Sequence, residues 1–322
     1  MVESLVEETA EPLLVVVLGP TGSGKTSLSV ELGRRFDGEI VSCDSVAVYR
    51  GLEIGSAKPS PEQRKLVPHH LLDVVDPDAF YTAGDYSRAA REAIAGIAGR
   101  GRLPIVTGGT GLYLRALLQG LFPGPQRSAA LRDRLLRKAE TRGPISLHRI
   151  LKRLDPASAA RIHVNDTAKV IRAIEVTLAA ARPMSEAWKE GSEALTGYRV
   201  LRLGLDPARP QLYQRINDRA YAMFAQGLIE ETRELLARYG RCPALDSLGY
   251  RQAAQYLDGA LTHEQAVAAA SQGHRNYAKR QLTWFRREPE VRWLNGFGGD
   301  PALLAEAESL IARTEANEPG PR

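Results

Sequence analysis

Residues 19 to 26 read Gly19-Pro20-Thr21-Gly22-Ser23-Gly24-Lys25-Thr26, a complete phosphate loop of the G-x-x-x-x-G-K-[ST] form. An apolar run, Leu13 to Leu18, precedes it, and a helix-like stretch from Thr26 to Arg35 follows. That is the strand–loop–helix setting in which the motif has meaning. Its glycines let successive backbone N–H groups turn onto phosphate oxygens, and the helix N-terminus adds the positive end of its dipole. Lys25 is expected to neutralise phosphate charge, and the Thr26 hydroxyl to ligate Mg²⁺. Gly19, Thr21, Gly22, Ser23, Gly24, Lys25 and Thr26 therefore form the expected diphosphate or triphosphate site.

The first third of the chain continues the alternation. Glu39–Asp44 reads as a second strand, Tyr86–Gly99 as an alanine-rich helix, and Leu103–Thr107 as a third strand. Short apolar strands separated by helices predict an α/β fold, a phosphate-loop parallel sheet covered on both faces. The Pro/Gly cluster Phe122-Pro123-Gly124-Pro125 breaks the pattern. From there to Gly197 the sequence reads as helices only, and Arg199–Leu205 reads as a strand that can rejoin the sheet. The expected organisation is a core over 13–125 and 198–313 with an all-helical domain, 126–197, inserted between hinges near Pro123–Pro125 and Gly191–Gly197. A long helix is expected from about Thr262 to Arg287. Residues 1–12 and 314–322 are expected to be disordered.

Charge is uneven. Arg127 to Arg153 holds nine Lys/Arg against Asp133 and Glu140, and Ser271 to Arg287 holds five Lys/Arg and no acid. Two basic helical stretches beside an anion site suit a polyanion such as nucleic acid, although solvated helix faces would look the same. No apolar run approaches the ~20 residues of a membrane span, so no membrane association is expected. The N-terminus, with four glutamates and no basic residue, does not resemble a targeting segment. The two cysteines, Cys43 and Cys242, make neither a disulfide framework nor a zinc site and suit a cytoplasmic setting.

Phosphate-loop ATPases also need an acid at the end of a neighbouring strand. Leu103–Thr107 leads instead into Gly108-Gly109-Thr110-Gly111, which has no carboxylate. The acid in a suitable place is Asp44, at the end of the second strand, where open α/β sheets bind ligands. Position alone leaves Asp44 open between a Mg²⁺ ligand, a general base and a turn or helix cap. A small-molecule kinase using ATP is the alternative enzyme class at this point, and a non-catalytic RNA-binding protein the alternative outside enzymes.

The string Asp44-Ser45-Val46-Ala47-Val48-Tyr49-Arg50-Gly51-Leu52-Glu53-Ile54-Gly55-Ser56-Ala57-Lys58-Pro59 closely resembles the segment after the second strand of tRNA dimethylallyltransferases, or tRNA isopentenyltransferases. The resemblance continues through Pro68-His69-His70-Leu71-Leu72-Asp73, Gly108-Gly109-Thr110-Gly111-Leu112-Tyr113 and Arg161-Ile162-His163-Val164-Asn165-Asp166. It ends with Gly249-Tyr250-Arg251-Gln252 and Ala278-Lys279-Arg280-Gln281-Leu282-Thr283-Trp284. Ser56 departs from the family's usual threonine.

The resemblance implies transfer of a dimethylallyl group from dimethylallyl diphosphate to N6 of adenosine 37, beside the tRNA anticodon, with Mg²⁺ as cofactor. It makes Asp44 the base, gives Thr110 a role beside it, and adds Arg219 to the diphosphate site. The alternative for Arg219 is a helix-surface salt bridge with Asp218 or a neighbouring acid, but its planar fork suits diphosphate oxygens. For the tRNA anticodon stem-loop the resemblance implies contacts from Asp44, Ser45, Val46, Ala47, Thr110, Arg132, Lys169, Arg172, Ser247, Gly249, Tyr250, Arg251 and Arg280. His163 and His274 are expected to be structural or RNA-facing. No protein partner is expected, and one asymmetric RNA partner suits a monomer.

Overall fold

The computed structural model describes residues 11–122, 124–125, 128–187 and 193–316. The expected disorder of 1–10 and 317–322, and the hinge positions Pro123, Gly191 and Ser192, lie outside the described residues. The chain divides into two compact units, one of residues 1–118 and 195–322 and the other of residues 119–194.

The first unit opens with β1 (Leu13–Leu18), whose six residues are all buried. Then come α1 (Lys25–Arg35), β2 (Gly38–Cys43), α2 (Pro61–Leu66), β3 (His69–His70), α3 (Ala83–Gly99), β4 (Leu103–Gly108) and α4 (Gly111–Leu118). After the insertion it resumes with β5 (Arg199–Leu205). The sheet has the order β3-β2-β4-β1-β5-β6, the last strand being Val291–Leu294, and every pairing is parallel. Two strands went unanticipated. His69–His70 is too short for periodicity to show, and Val291–Leu294 is a partly exposed edge strand of mixed composition. The expected third strand is consequently the fourth, and it lies between β1 and β2.

Alternation along β1 explains the two layers. Leu13, Val15 and Val17 pack on one face with Leu28 and Leu32 of α1, while Leu14, Val16 and Leu18 pack on the other with Ile94 and Ile97 of α3. A strand apolar on both faces has no stable place except mid-sheet under helices. Polar caps set where the covering helices begin. Thr82 accepts from the Asp85 amide at 3.2 Å while Asp85 accepts from Thr82 N–H at 3.0 Å, a capping box that starts α3 three residues before the expected Tyr86.

In the second unit, α5 (Ala129–Arg142), α6 (Pro144–Leu154), α7 (Pro156–Arg161), α8 (Thr167–Ala180) and α9 (Met184–Ala187) enclose a small core of Leu147, Leu151, Val170, Ile171 and Ile174. Buried Asp155 caps α7 through Ser158 N–H at 3.0 Å and also accepts from Ser185 N–H at 2.9 Å. The remaining helices belong to the first unit: α10 (Arg209–Ala225), α11 (Leu228–Tyr239), α12 (Tyr250–Leu257), α13 (His263–Phe285) and α14 (Pro301–Glu315). The well-formed last turns of α14 correct the expected disorder from residue 314: Ile311 is fully buried and Thr314 Oγ1 donates to Leu310 O at 2.7 Å.

Candidate active site

Parallel strands aim their carboxyl ends at one edge of the sheet, and there β1, β2 and β4 deliver the phosphate loop, Asp44 and Gly108-Gly109 to one cleft of about 240 Å³, with Thr110 next in the chain but outside its lining. Gly22 and Gly24 take φ of +82° and +89°, backbone that side-chain-bearing residues rarely adopt. Thr21, Gly22, Gly24, Lys25 and Thr26 line the cleft. Gly19 and Ser23 do not. Gly19 is buried against Leu205, and Ser23 is fully buried with its amide donated to Pro20 O at 3.2 Å. Both shape the backbone of the loop from within. Ser23 O also accepts from Gly298 N–H at 2.9 Å, so the turn before α14 braces the loop from behind.

Lys25 Nζ donates to Pro20 O at 2.9 Å. Desolvation pulls its ammonium down to about 8, the negative charge of Asp44 opposes that, and Arg219 reinforces it. On α10, burial likewise lowers the Arg219 guanidinium, again opposed by Asp44. Arg219 lines the cleft with Arg215, which lies one helical turn away with its guanidinium 4.9 Å from the Phe297 ring centre. Asp218 is instead bonded by Gln214 Nε2 at 2.8 Å, so the surface pair that sequence left open is not the one that forms. Across the lining, Lys25, Lys58, Arg215 and Arg219 meet a single carboxylate, Asp44.

Asp44 follows β2 directly. Its Oδ1 accepts from Val46 N–H at 2.8 Å and Ala47 N–H at 3.2 Å, so a turn aspartate and a cleft carboxylate are the same residue. Anchoring through one oxygen fixes the side chain. Thr110 Oγ1 accepts from Ser45 N–H at 3.0 Å, and Thr110 N–H donates to Cys43 O at 3.2 Å, clamping the turn on both sides of Asp44. Lys58, its side chain buried, donates to Asp73, to Glu53 at 2.8 Å and to Tyr49 O at 2.7 Å, which closes the far end of the segment.

The other expected RNA contacts separate into groups. Ala47 is 4% exposed, and Val46 is partly buried against a helical core cluster. Tyr250 is wholly buried and donates its hydroxyl to Glu231 while accepting Gly55 N–H at 3.1 Å. It joins two of the resemblance blocks to each other, and its side chain is not presented to a ligand. Gly249 is buried and Ser247 Oγ donates to Ala244 O at 2.6 Å, whereas Arg251 and Arg280 are exposed. Arg280 lies in a shallow groove with Asn276, Lys279, Thr283, Trp284 and Arg287. Arg132, Lys169 and Arg172 belong to the other unit. There Arg132 pairs with buried Glu175 at 3.4 Å, Lys169 with Asp166, and Arg172 donates to Pro125 O at 3.2 Å. Buried His274 has its imidazole pushed down to about 4 by desolvation and Arg219, so it is neutral and structural.

Sequence reasoning missed Arg215, Lys58, Tyr277 and Gln281, all of which line the cleft. Lys58 and Gln281 stood inside quoted blocks without a role. Among the described residues no three His, Cys, Asp or Glu gather as a metal cage. The lining includes Thr26 and also Thr107, whose hydroxyl is buried and without a hydrogen-bond partner among the described residues. One or two neutral oxygens beside a phosphate site fit Mg²⁺, which is commonly held through substrate phosphates rather than an all-protein cage.

A phosphate loop and one clamped carboxylate at the carboxyl edge of a parallel sheet place the chain in the class of phosphate-loop α/β proteins. The IPP transferase family model matches residues 47–288, and the isopentenyl transferase model matches residues 12–73. A tRNA dimethylallyltransferase of Koribacter versatilis is 66% identical over 94% of this chain and 99% of its own length. The crystal structure of a tRNA isopentenylpyrophosphate transferase from Bacillus halodurans is 38% identical, with a TM-score of 0.69 over 93% of this chain and 95% of that one. A eukaryotic dimethylallyltransferase acting on tRNA is 26% identical, with a TM-score of 0.80 over 97% of this chain and 81% of that one. The chain belongs to the IPP transferase family, that of the tRNA dimethylallyltransferases.

Proposed function

We propose that this chain transfers the dimethylallyl group of dimethylallyl diphosphate to N6 of adenosine 37 in the tRNA anticodon loop, releasing pyrophosphate. The observation that carries the reading is the single carboxylate, Asp44, held rigidly opposite a cationic phosphate cradle. The exocyclic amine of adenine is a weak nucleophile because its lone pair is delocalised into the ring. As the bond from N6 to the allylic carbon forms, the carbon–oxygen bond to diphosphate breaks and its electron pair leaves with pyrophosphate. Asp44 takes the N6 proton. Lys25, Arg219 and the loop amides meet the charge that grows on the leaving group, each such contact being worth about 10²–10³ in rate. Thr110 keeps Asp44 in place through Ser45. The adenine must leave the anticodon stack to reach the cleft.

Mg²⁺ would be held by the Thr26 hydroxyl and would neutralise diphosphate charge when bound. The exposed cations Arg251, Arg280 and Lys169 suit RNA phosphates, which are contacted in a distributed manner. Action as a monomer in the cytoplasm belongs to the same reading. The decisive test is mass analysis of adenosine 37 after unmodified tRNA is incubated with dimethylallyl diphosphate and Mg²⁺. A five-carbon adduct is expected. ATP-dependent phosphoryl transfer without prenylation would favour a kinase, and salt-sensitive tRNA binding without any adduct would leave only an RNA-binding protein.

A further inference from the structure

Gln281, on α13 and 5% exposed, has both ends of its side-chain amide occupied. Its Oε1 accepts from the Thr21 N–H of the phosphate loop at 2.7 Å, and its Nε2 donates to Gly109 O at 2.8 Å. Those partners lie 260 and 172 residues away in sequence. Gly109 is tailored to this contact, since a Cβ there would sit 2.1 Å from Gln281 Nε2. One turn earlier on α13, the Tyr277 hydroxyl reaches the same carbonyl at 3.4 Å.

The bridge is one end of a longer chain of bonds. Gly109 leads into Thr110, whose hydroxyl accepts Ser45 N–H, and Ser45 follows Asp44. A path of alternating peptide links and hydrogen bonds therefore runs from Asp44 to the phosphate cradle, and Gln281 is its joint. An amide is suited to this because it offers an acceptor and a donor at a fixed span in one plane. A carboxylate lacks the donor, and an ammonium lacks the acceptor.

We infer that Gln281 is a positioning residue that sets the distance between the two reaction partners, the diphosphate-bearing carbon held by the loop and the amine held beside Asp44. The inference rests on the prenyl-transfer reading of the cleft. A displacement in which one bond forms as another breaks is sensitive to that distance, and a misplacement of about 1 Å can cost about 10²-fold. Each half-site is also built by other contacts, so binding of each substrate alone survives loss of the joint.

The test compares wild type with Gln281→Met, similar in length but unable to bridge, and Gln281→Glu, which keeps the acceptor. Single-turnover prenylation of tRNA at saturating dimethylallyl diphosphate and Mg²⁺ is expected to fall about 10- to 100-fold in Gln281→Met. KM for either substrate should stay within about 3-fold, since uniform binding is untouched. Gln281→Glu should be similarly slow at neutral pH. Relative to wild type at each pH it should recover as acid restores a carboxylic O–H able to donate to Gly109 O. An undiminished rate, or a loss confined to KM, would overturn the inference. So would a Gln281→Glu deficit that is flat with pH, and that series decides the matter if the methionine variant fails to fold. A wild-type chain that forms no prenylated product would instead overturn the proposed function itself.

Discussion

The cleft of the first unit and the basic helices of the insertion are both rich in charge, but they are held in opposite ways. In the cleft, Asp44, Thr110 and Gln281 bond to main-chain groups, and Thr110 and Gln281 reach groups 65 to 260 residues away. On the insertion's surface, Lys169 pairs with Asp166 three residues back and is otherwise largely exposed. A group fixed by distant backbone has one geometry, whereas a local ion pair in water is replaceable and contributes about 0–1 kcal/mol. On the proposed function, chemistry is thus concentrated in few residues of the cleft, and any role of the insertion in binding RNA is spread over many.

The sharpest way to break that contrast is Asp44→Asn. The amide keeps an oxygen for the Val46 and Ala47 N–H groups but cannot accept the N6 proton. The rate of prenyl transfer is expected to fall about 10²–10⁴-fold, with tRNA affinity within a few-fold in a filter-binding or anisotropy titration. A variant that turns over bound tRNA normally but binds it poorly would make Asp44 a binding residue like those of the insertion.

Lys25 sharpens the comparison through pH. In the ligand-free cleft its ammonium is held near 8 by desolvation, and a bound diphosphate, being anionic, raises it again. Above pH 8 binding must therefore take up a proton, so pyrophosphate affinity should weaken as pH rises, approaching about tenfold per unit before the bound-state value is reached. Calorimetry in buffers of different ionisation enthalpy should register the proton uptake, and Lys25→Met should abolish it. Affinity that is flat between pH 7 and 9.5 would show that Lys25 does not meet the diphosphate.

Tyr250 tests whether a buried residue in a family-like block serves the fold or the RNA. Tyr250→Phe removes the hydroxyl that joins Glu231 to Gly55 N–H and leaves both polar groups short of a partner. Stability is expected to drop by about 1–3 kcal/mol in denaturant titration, with tRNA affinity and turnover nearly unchanged below the melting transition. A selective loss of tRNA affinity would restore Tyr250 to the RNA interface.

This case also marks how far sequence could go. The phosphate loop, the parallel strands and Asp44 were legible because each is a local pattern: a glycine spacing, an apolar run, an acid just after a strand. The burial of Tyr250 was not legible, because a tyrosine beside a glycine reads the same whether it faces RNA or Glu231. Gln281 was quoted but given no role, since its meaning depends on Thr21 and Gly109, and no local pattern carries a contact across 260 residues. Strand β6 was missed for the same reason, its place being set by pairing with β5 rather than by its own composition.

The smallest effect belongs to the insertion. Lys169, with its side chain 73% exposed, bonds through its ammonium to Asp166, and the Asp166 carboxyl is lowered chiefly by that bond. If it contacts an RNA phosphate, Lys169→Gln should weaken tRNA binding about 2- to 5-fold and reduce the slope of log affinity against log salt by nearly one. The rate at saturating tRNA should not move, because Lys169 is not among the residues that line the cleft. Arg132 is a poorer probe, since its removal strands the buried Glu175 carboxylate and confounds binding with stability. An unchanged salt slope in Lys169→Gln would mean that the exposed charge at Lys169 is only solvated surface. A loss of more than about 10² in rate at saturation would mean that this residue, like those of the cleft, has a geometry the reaction needs.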